Sequence, residues 1–74
     1  MQVIFRFDRL KEARQKKNMT QEELAERCNS SDRYIRDLES GKKRHPSAAM
    51  VFQIASTLGI SAETLVDIKQ EGTE

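Results

Sequence analysis

Residues 20–41, TQEELAERCNSSDRYIRDLESG, constrain the fold more than any other stretch of this chain. Thr20 and Glu23 have the spacing of a capping box, in which each side chain accepts a hydrogen bond from the other residue's backbone N–H, so a helix begins there. Asn29 ends this helix, because asparagine tolerates the left-handed conformation that commonly follows a helix. Ser31 is well placed to cap a second helix. The sequence therefore predicts two short helices joined by a tight turn.

The second of these helices has one apolar face and one charged face. Ile35 and Leu38 form its buried stripe, since successive helical residues point about 100° apart. The opposite face carries Arg33, Arg36 and Asp37, and the borders carry Asp32, Tyr34 and Glu39. A short helix that buries two aliphatic side chains and points two arginines outward adds little to a core. We therefore expect it to present its charged face to a ligand.

The same stretch closely resembles the helix-turn-helix of the phage-repressor and Cro-like family, often called the XRE family. The similarity extends from about Leu10 to Leu65. It rests on many positions at once, namely Arg14, Thr20-Gln21, Glu23-Leu24-Ala25, Ile35, Leu38, Glu39, Gly41, the basic loop before Pro46-Ser47, Ile54-Ala55 and Leu58-Gly59-Ile60-Ser61. Three positions depart from the family pattern, since Asn29 replaces the usual glycine, Ser30 an aliphatic residue, and Asp32 a glutamine, arginine or small polar residue.

The resemblance implies an all-α fold, a compact five-helix lambda-repressor-like domain that contains the helix-turn-helix. The length of 74 residues allows one domain at most. We expect residues 8–68 to form this DNA-binding domain, residues 1–7 an N-terminal arm, and residues 69–74 a polar tail. From the family, the dimer surface is expected to be helix 5 and the loop before it.

Composition is typical of a small helical domain that does not enter a membrane. Hydrophobic residues make up 36% of the chain and charged residues 34%, and no apolar run approaches the 18 to 20 residues, roughly, of a membrane span. The N-terminal MQVIFRF is too short for a signal peptide and lacks a small-residue cleavage site. The single Cys28 falls on an apolar stripe, which indicates a packing role in a reducing compartment. We expect a cytoplasmic protein without a membrane partner.

Charge is distributed unevenly along the chain. Residues 1–45 hold twelve Lys or Arg against eight Asp or Glu, and residues 46–74 hold one against four, so the two parts carry +4 and −3. This asymmetry is compatible with one face for a polyanion and another for a different partner. It is equally compatible with chance clustering on a solvated surface.

The N-terminal segment alternates, with Val3, Phe5 and Phe7 on one side, which is a strand-like pattern. A lone strand in a helical domain needs a partner edge. One hypothesis is that this arm pairs with the same arm of a second subunit or packs across the dimer surface. The alternative is that Phe7, with Phe5, closes the helical core and the rest of the arm frays.

Helix 1 is expected to be capped by Asp8 and to run to about Lys17. Its apolar stripe is interrupted by Arg14, whose charge requires a partner carboxylate. Glu39, at the border of helix 3, is the candidate, and the resemblance implies the same pair. We therefore predict a partly buried salt bridge between Arg14 and Glu39 that ties helix 1 to helix 3.

The richest apolar stripe follows Pro46, in a fourth helix that Ser47 caps. Its apolar residues are Ala48, Val51, Phe52, Ile54, Ala55 and Leu58. Gly59 ends this helix, and Ser61 caps a fifth. The apolar residues of the fifth helix, Leu65, Val66 and Ile68, exceed what one core needs, so the surplus is available to a second subunit.

The charged face of helix 3 fits the major groove of double-stranded DNA. Arginine there bonds guanine O6 and N7 bidentately, and a carboxylate accepts a hydrogen bond from cytosine N4. Arg33 is the first candidate for base reading, followed by Asp32, Arg36 and Asp37. Alternatively, Asp32 with Arg36 and Arg33 with Asp37 are i,i+4 ion pairs on a solvated surface. Both interpretations hold if these ion pairs are present in the free protein and rearrange when the protein binds DNA.

Phosphate contacts are expected on both sides of the reading helix. Gln21 brings its amide and the N-terminus of helix 2 to one phosphate, while Lys42, Lys43 and Arg44 anchor the backbone on the other side, with Tyr34 as a hydroxyl donor. One short reading helix gives little specificity, so we expect a homodimer on a palindromic operator with half-sites about 34 Å apart. The expected role is that of a transcriptional regulator, with a repressor as the first candidate; the sequence does not distinguish blocking of RNA polymerase from its recruitment.

Two other classes of function compete with this one. A protein-interaction module, such as an antitoxin-like or anti-repressor partner, would keep the fold and bind another protein through helices 4 and 5. An enzyme would need converging acid, base or nucleophilic groups, whereas the chain has one His, one Cys and no Gly-rich phosphate loop. His45 has no cluster of metal ligands near it in the sequence. We therefore expect no catalysis, no cofactor and no metal, and a regulatory protein partner remains compatible with the DNA-binding function.

Overall fold

The computed structural model describes residues 2–69 of the chain. In order, it contains strand β1 (Gln2–Phe5), helices α1 (Phe7–Lys16), α2 (Gln21–Arg27), α3 (Asp32–Ser40) and α4 (Ala48–Leu58), a 3₁₀ helix (Ala62–Leu65) and strand β2 (Val66–Lys69). β1 and β2 form a two-stranded antiparallel sheet that joins the core through Phe5. The prediction of a mainly helical domain with a helix-turn-helix is confirmed, and the prediction of five α-helices is wrong.

The α2–α3 unit has the capping that its sequence predicts. Thr20 Oγ1 accepts from the Glu23 backbone N–H at 3.0 Å, and Glu23 Oε1 accepts from the Thr20 backbone N–H at 2.8 Å. Asn29 lies in the left-handed region with a φ of 55°, and Ser31 Oγ accepts from the Tyr34 backbone N–H at 3.1 Å. These local bonds fix where each helix begins, and with it the turn between the two helices.

The segment expected to form a fifth helix is a 3₁₀ turn followed by a strand. Ser61 Oγ accepts from the Glu63 backbone N–H at 3.3 Å, but the chain becomes extended at Val66, with φ −137° and ψ 157°. Val66 and Ile68 are β-branched and flank the polar Asp67, a pattern that suits a strand once a partner edge is available. That edge is β1, so tertiary pairing overrides the helical prediction.

The N-terminal strand finds its partner in the same chain. The register is Gln2↔Lys69, Val3↔Ile68, Ile4↔Asp67 and Phe5↔Val66. The strand hypothesis is therefore right about conformation, but the pairing strand is β2 rather than the arm of a second subunit. Phe5 is buried and Phe7 is exposed, so it is Phe5 that closes the core. Of the predicted polar tail, Lys69 ends β2 and residues 70–74 lie outside the described residues.

Helix α1 begins two residues earlier than its sequence suggests. Arg6, not Asp8, occupies the N-cap position, with φ −102° and ψ 94°. The cause is tertiary, because the Arg6 backbone N–H donates to the Leu65 carbonyl at 2.8 Å. The guanidinium groups of Arg6 and Arg9 both donate to the Asp67 carboxylate, so β2 is tied to α1.

The core is formed by Phe5, Leu10, Leu24, Ala25, Cys28, Ile35, Leu38, Val51, Ile54, Ala55, Leu58 and Leu65. The prediction that Phe52 belongs to the buried stripe of α4 is wrong, since this side chain is 65% exposed, and Ala48 is exposed too. At about 100° per residue, Phe52 points roughly 110° away from the centre of the stripe that faces the core. Among residues 2–69, no helix has both the length and the apolar character to cross a membrane.

Candidate nucleic-acid interface

Helix α3 is held in place by its apolar face. Ile35 and Leu38 are fully buried, and α3 packs against both α2 and α1. Gly41, with a φ of 85°, ends the helix in the left-handed conformation that favours glycine. Because two other helices fix its buried side, the opposite side of α3 has a defined orientation.

The outward side of α3 carries the four residues expected to read bases. Arg33 and Arg36 are exposed, and Asp32 and Asp37 are half-buried. Arg36 Nη2 donates to Asp32 Oδ2 at 2.8 Å, so one of the two expected i,i+4 ion pairs is present. The other, between Arg33 and Asp37, does not form in the described part of the chain. Within that part, Arg33 is therefore available to a ligand without first leaving an ion pair.

The basic loop folds back onto the C-terminal end of α3. The Lys43 backbone N–H donates to the Asp37 carbonyl at 3.0 Å, and Arg44 Nε donates to the Gly41 carbonyl at 3.3 Å. Lys42, Lys43 and Arg44 are all exposed. These hydrogen bonds hold three cations next to the end of the helix that carries the exposed arginines.

Tyr34 connects this loop to α3. The Lys43 ammonium nitrogen lies 5.8 Å from the centroid of the Tyr34 ring, within the range of a cation–π contact. Partial burial raises the pKa of the Tyr34 phenol above its ordinary value, so the hydroxyl stays protonated and able to donate at neutral pH. Two of the expected phosphate contacts, Tyr34 and Lys43, are therefore neighbours.

A buried polar network supports α3 from behind. Arg14 Nε donates to Glu39 Oε2 at 2.6 Å and Arg14 Nη2 donates to Glu39 Oε1 at 3.0 Å, so the pair is bidentate. Arg14 Nη1 also donates to the Met19 carbonyl at 2.6 Å. Both charged side chains are buried, and among residues 2–69 every buried side-chain polar atom has a hydrogen-bond partner. The pair expected from the sequence is thus present, and it joins α1 to α3.

Gln21 is a member of this network. Its amide nitrogen donates to Glu39 Oε1 at 3.0 Å, whereas the sequence suggested that this amide would contact a phosphate. The link joins α2 to α3, so one carboxylate holds three helices. Sequence reasoning missed it because the two residues are 18 positions apart and a neutral amide, unlike Arg14, does not demand a partner.

The described residues contain no group that could hold a metal ion, judged by clusters of three or more His, Cys, Asp or Glu. Cys28 is buried in the core, with Sγ 3.5 Å from Thr57 Oγ1. This environment agrees with the packing role expected for Cys28.

The arrangement of α2, α3 and the basic loop matches a known family. Residues 10–65 match the family model described as helix-turn-helix, which covers most of the chain. The chain belongs to the helix-turn-helix family, of the XRE type. Relatives of this chain are HTH-type transcriptional regulators.

Two relatives are similar in sequence to this helix-turn-helix protein. The uncharacterized HTH-type transcriptional regulator y4dJ of Sinorhizobium fredii is 38% identical over 53 residues, which cover 72% of this chain and 68% of y4dJ. The HTH-type transcriptional regulator SinR of Bacillus subtilis is 30% identical over 63 residues, which cover 85% of this chain and 57% of SinR. The chain therefore spans little more than half the length of SinR.

Solved structures of the family have the same fold. SinR in complex with DNA superposes with a TM-score of 0.77 at 27% identity, over 80% of this chain and 94% of the SinR chain. The restriction-modification controller protein C.AhdI of Aeromonas hydrophila superposes with a TM-score of 0.75 at 29% identity, over 80% of this chain and 84% of C.AhdI. A complex of SinR with SinI gives a TM-score of 0.76 at 27% identity, over 80% of this chain and 57% of SinR.

Proposed function

We propose that this protein is a sequence-specific transcriptional repressor that binds double-stranded DNA as a homodimer and places α3 in the major groove. The observation that carries the proposal is the orientation of α3. Its apolar side is fixed by Ile35, Leu38 and the Arg14–Glu39 pair, and its other side exposes Arg33 and Arg36. A rigid support behind two outward guanidinium groups is what base recognition requires.

Base reading is assigned to the outward side of α3. Arg33, which has no ion pair to break within residues 2–69, donates bidentately to guanine O6 and N7. On DNA binding, Arg36 breaks its ion pair with Asp32 and donates to a second guanine or to a phosphate. The freed Asp32 carboxylate then accepts from cytosine N4, and Asp37 contributes in the same way from the far end of the helix.

Phosphate binding is assigned to the basic loop and its neighbours. Lys42, Lys43 and Arg44 are exposed beside α3, and Tyr34 supplies a hydroxyl donor next to Lys43. Gln21 stands at the first position of α2, where backbone N–H groups face outward from the helix end. In this role the backbone N–H of Gln21 contacts the phosphate, while its side-chain amide remains hydrogen-bonded to Glu39.

Two copies of the protein give the specificity that one short helix cannot. A two-fold dimer would present two α3 helices to half-sites about 34 Å apart on a palindromic operator. Such a dimer over a promoter would block RNA polymerase, which is the repressor role we propose. The likeness to SinR, a transcriptional regulator whose structure was solved with DNA, supports binding to duplex DNA.

Selection of bound duplexes from a random pool tests this function directly. The proposal predicts enrichment of a palindrome with two half-sites one helical turn apart. The Arg33→Ala and Arg36→Ala variants should bind the selected duplex about 1 to 3 kcal/mol more weakly. Arg27→Ala is the matched control, because Arg27 is an exposed arginine on α2 with no proposed DNA contact. Absence of any enriched sequence would contradict the proposal.

A second candidate function is a protein-interaction module of the antitoxin-like or anti-repressor kind, acting through α4 and the segment after it. The favouring observation is the exposure of the large apolar Phe52 on α4. SinR, a structural neighbour, has been solved with the protein SinI, so a regulatory protein partner fits this fold. The Arg33→Ala and Arg36→Ala variants discriminate between the candidates, because they should weaken duplex binding and leave binding of a protein partner unchanged.

A further inference from the structure

One side of the molecule, remote in sequence from α3, exposes large apolar side chains. Val3 and Ile68 face each other across the β1–β2 register and are 54% and 56% exposed. Phe52 of α4 is 65% exposed. We call these three residues and the groove beside them the apolar face. Its members come from both ends of the described chain and from α4.

A groove with a volume of about 410 Å³ opens in this face. Its walls are largely apolar and are built by Phe5, Val51, Phe52 and Val66, together with Val3 at the strand end. Phe5 and Val51 also belong to the core, so the groove reaches down to it. An apolar groove that is continuous with exposed apolar side chains marks an interaction surface.

We propose that the apolar face is the dimer surface, and that Phe52 of each protomer enters the groove of the other. A two-fold interface uses the same patch on both subunits, so the patch must be complementary to itself, and a projecting group beside a cavity meets this condition. The apolar face contains both, since Phe52 is the most exposed of its large side chains and also forms one wall of the groove. This inference locates the interface of the homodimer proposed above, and it rests on the proposed function.

The charges at the rim of the groove favour a second copy over an acidic or basic peptide. Arg44 and His45 contribute to the rim from the basic loop, and Glu63 contributes from the 3₁₀ helix. A rim with both signs can meet its own two-fold copy, with Glu63 of one protomer opposite Arg44 of the other. A rim of one sign would instead repel a second copy and attract a peptide of opposite charge.

The position of the apolar face leaves the reading helix free. Of the residues assigned to DNA, Arg44 alone lines this groove, so two copies joined here still expose both α3 helices together with Lys42 and Lys43. In the dimer Arg44 faces Glu63 of the other protomer and leaves the phosphate to Lys42 and Lys43. The family resemblance placed the dimer surface on a fifth helix, but residues of that segment form the 3₁₀ turn and β2 instead. The sheet that replaces the helix supplies the Val3–Ile68 pair, which extends the apolar face beyond α4.

The test is sedimentation equilibrium of the full chain without DNA, over a wide range of concentration. The parent should reach twice its monomer mass of 8.5 kDa. Each substitution occurs twice in a two-fold dimer. Phe52→Ser should therefore weaken dimerisation by about a hundredfold, and Val3→Thr by about tenfold. Ile4→Thr is the matched control, since Ile4 lies on the opposite face of the same strand and is 37% exposed; its dimerisation should stay within about threefold of the parent.

The outcomes separate this inference from the proposed function. At a concentration low enough for the parent to be monomeric, circular dichroism should give the same thermal unfolding for all three variants, because the altered side chains are exposed in the monomer. A parent that stays monomeric at every concentration, or a Phe52→Ser variant that dimerises like the parent, overturns the inference even if duplex binding is found. Loss of dimerisation in Phe52→Ser supports it even if no duplex is bound, and in that case the proposed function alone fails.

Discussion

Arg14 on α1 and Glu39 on α3 form a bidentate ion pair with both side chains buried, at 2.6 and 3.0 Å. The same carboxylate accepts from Gln21 of α2. One acidic side chain therefore sets the positions of three helices and, through them, the direction in which the exposed side of α3 points. The stability of the fold and the geometry of the proposed DNA interface depend on the same contact.

Arg14→Ala should destabilise the fold by about 3 to 5 kcal/mol, because it leaves the Glu39 carboxylate buried without its partner. Chemical denaturation measures this loss. If Arg14→Ala does not fold, the double variant Arg14→Met/Glu39→Leu keeps the prediction testable, since removing both charges should restore most of the stability. Arg36→Ala is the control, because its pair with Asp32 is exposed and should contribute less than about 1 kcal/mol.

An Arg14→Ala variant as stable as Arg36→Ala would contradict the role of the buried pair. A double variant less stable than Arg14→Ala would contradict it as well, because the cost would then come from lost packing and not from an unpaired charge.

Asn29→Ala should destabilise the protein by about 1 kcal/mol, because Asn29 has a φ of 55° and alanine is strained in the left-handed region. Asn29→Gly should not destabilise it, since glycine adopts this conformation without a steric penalty. Thermal unfolding of the two variants measures the difference. Equal stability of the alanine and glycine variants would show that this turn does not depend on a left-handed residue.

Acid should weaken the attachment of β2 to α1. The pKa of Asp67 lies below its ordinary value, chiefly because Arg6 donates a hydrogen bond to its carboxylate, with a further contribution from Arg9. A lowered pKa gives a stabilisation that is complete above the unfolded value of 3.8 and is lost as the pH falls through the folded one.

The pH dependence of urea unfolding tests this contact. Asp67→Asn should be less stable than the parent at neutral pH, and the difference should shrink as the pH falls below 3.8. Glu26→Gln serves as the control, because Glu26 is exposed and forms no ion pair among the described residues. A difference between parent and Asp67→Asn that is the same at every pH would contradict the prediction.

Binding to the selected duplex should weaken as salt is added. About four to six phosphate contacts per dimer give a slope of log K against log salt of roughly −4 to −5. Lys42→Ala and Lys43→Ala each remove two contacts per dimer, so each should make the slope shallower by about 2 and weaken binding to all sequences alike. Fluorescence anisotropy at several salt concentrations measures both effects, and an affinity independent of salt would remove the phosphate assignments.

Local features of this fold could be predicted from the sequence because local bonds produce them. The capping box at Thr20, the left-handed Asn29 and the Ser31 cap involve residues at most three or four positions apart. The exposure of Arg33 and Arg36 followed from helical periodicity alone. The Arg14–Glu39 pair could be anticipated because a charge on an apolar stripe needs a partner, and the family resemblance indicated which one.

Contacts between distant segments could not be predicted in this way. β1 and β2 lie at opposite ends of the described chain, so nothing in the alternation of Val3 and Phe5 identified Val66 and Ile68 as their partners. The β-branched residues of the last segment suit a helix or a strand, and the presence of the β1 edge decides between them. Phe52 was misplaced because the stripe of α4 is narrower than its run of apolar residues suggests.

Base reading by the outward arginines of α3 can be measured at individual base pairs of the operator. Affinities of the parent and of Arg33→Ala are compared on the selected operator and on operators with each half-site base pair replaced in turn. We predict that Arg33→Ala binds the operator about 1 to 3 kcal/mol more weakly and no longer discriminates at one G·C pair of each half-site. If Arg33→Ala and Arg36→Ala both keep the parent's affinity and its preference at every position, α3 does not read the DNA.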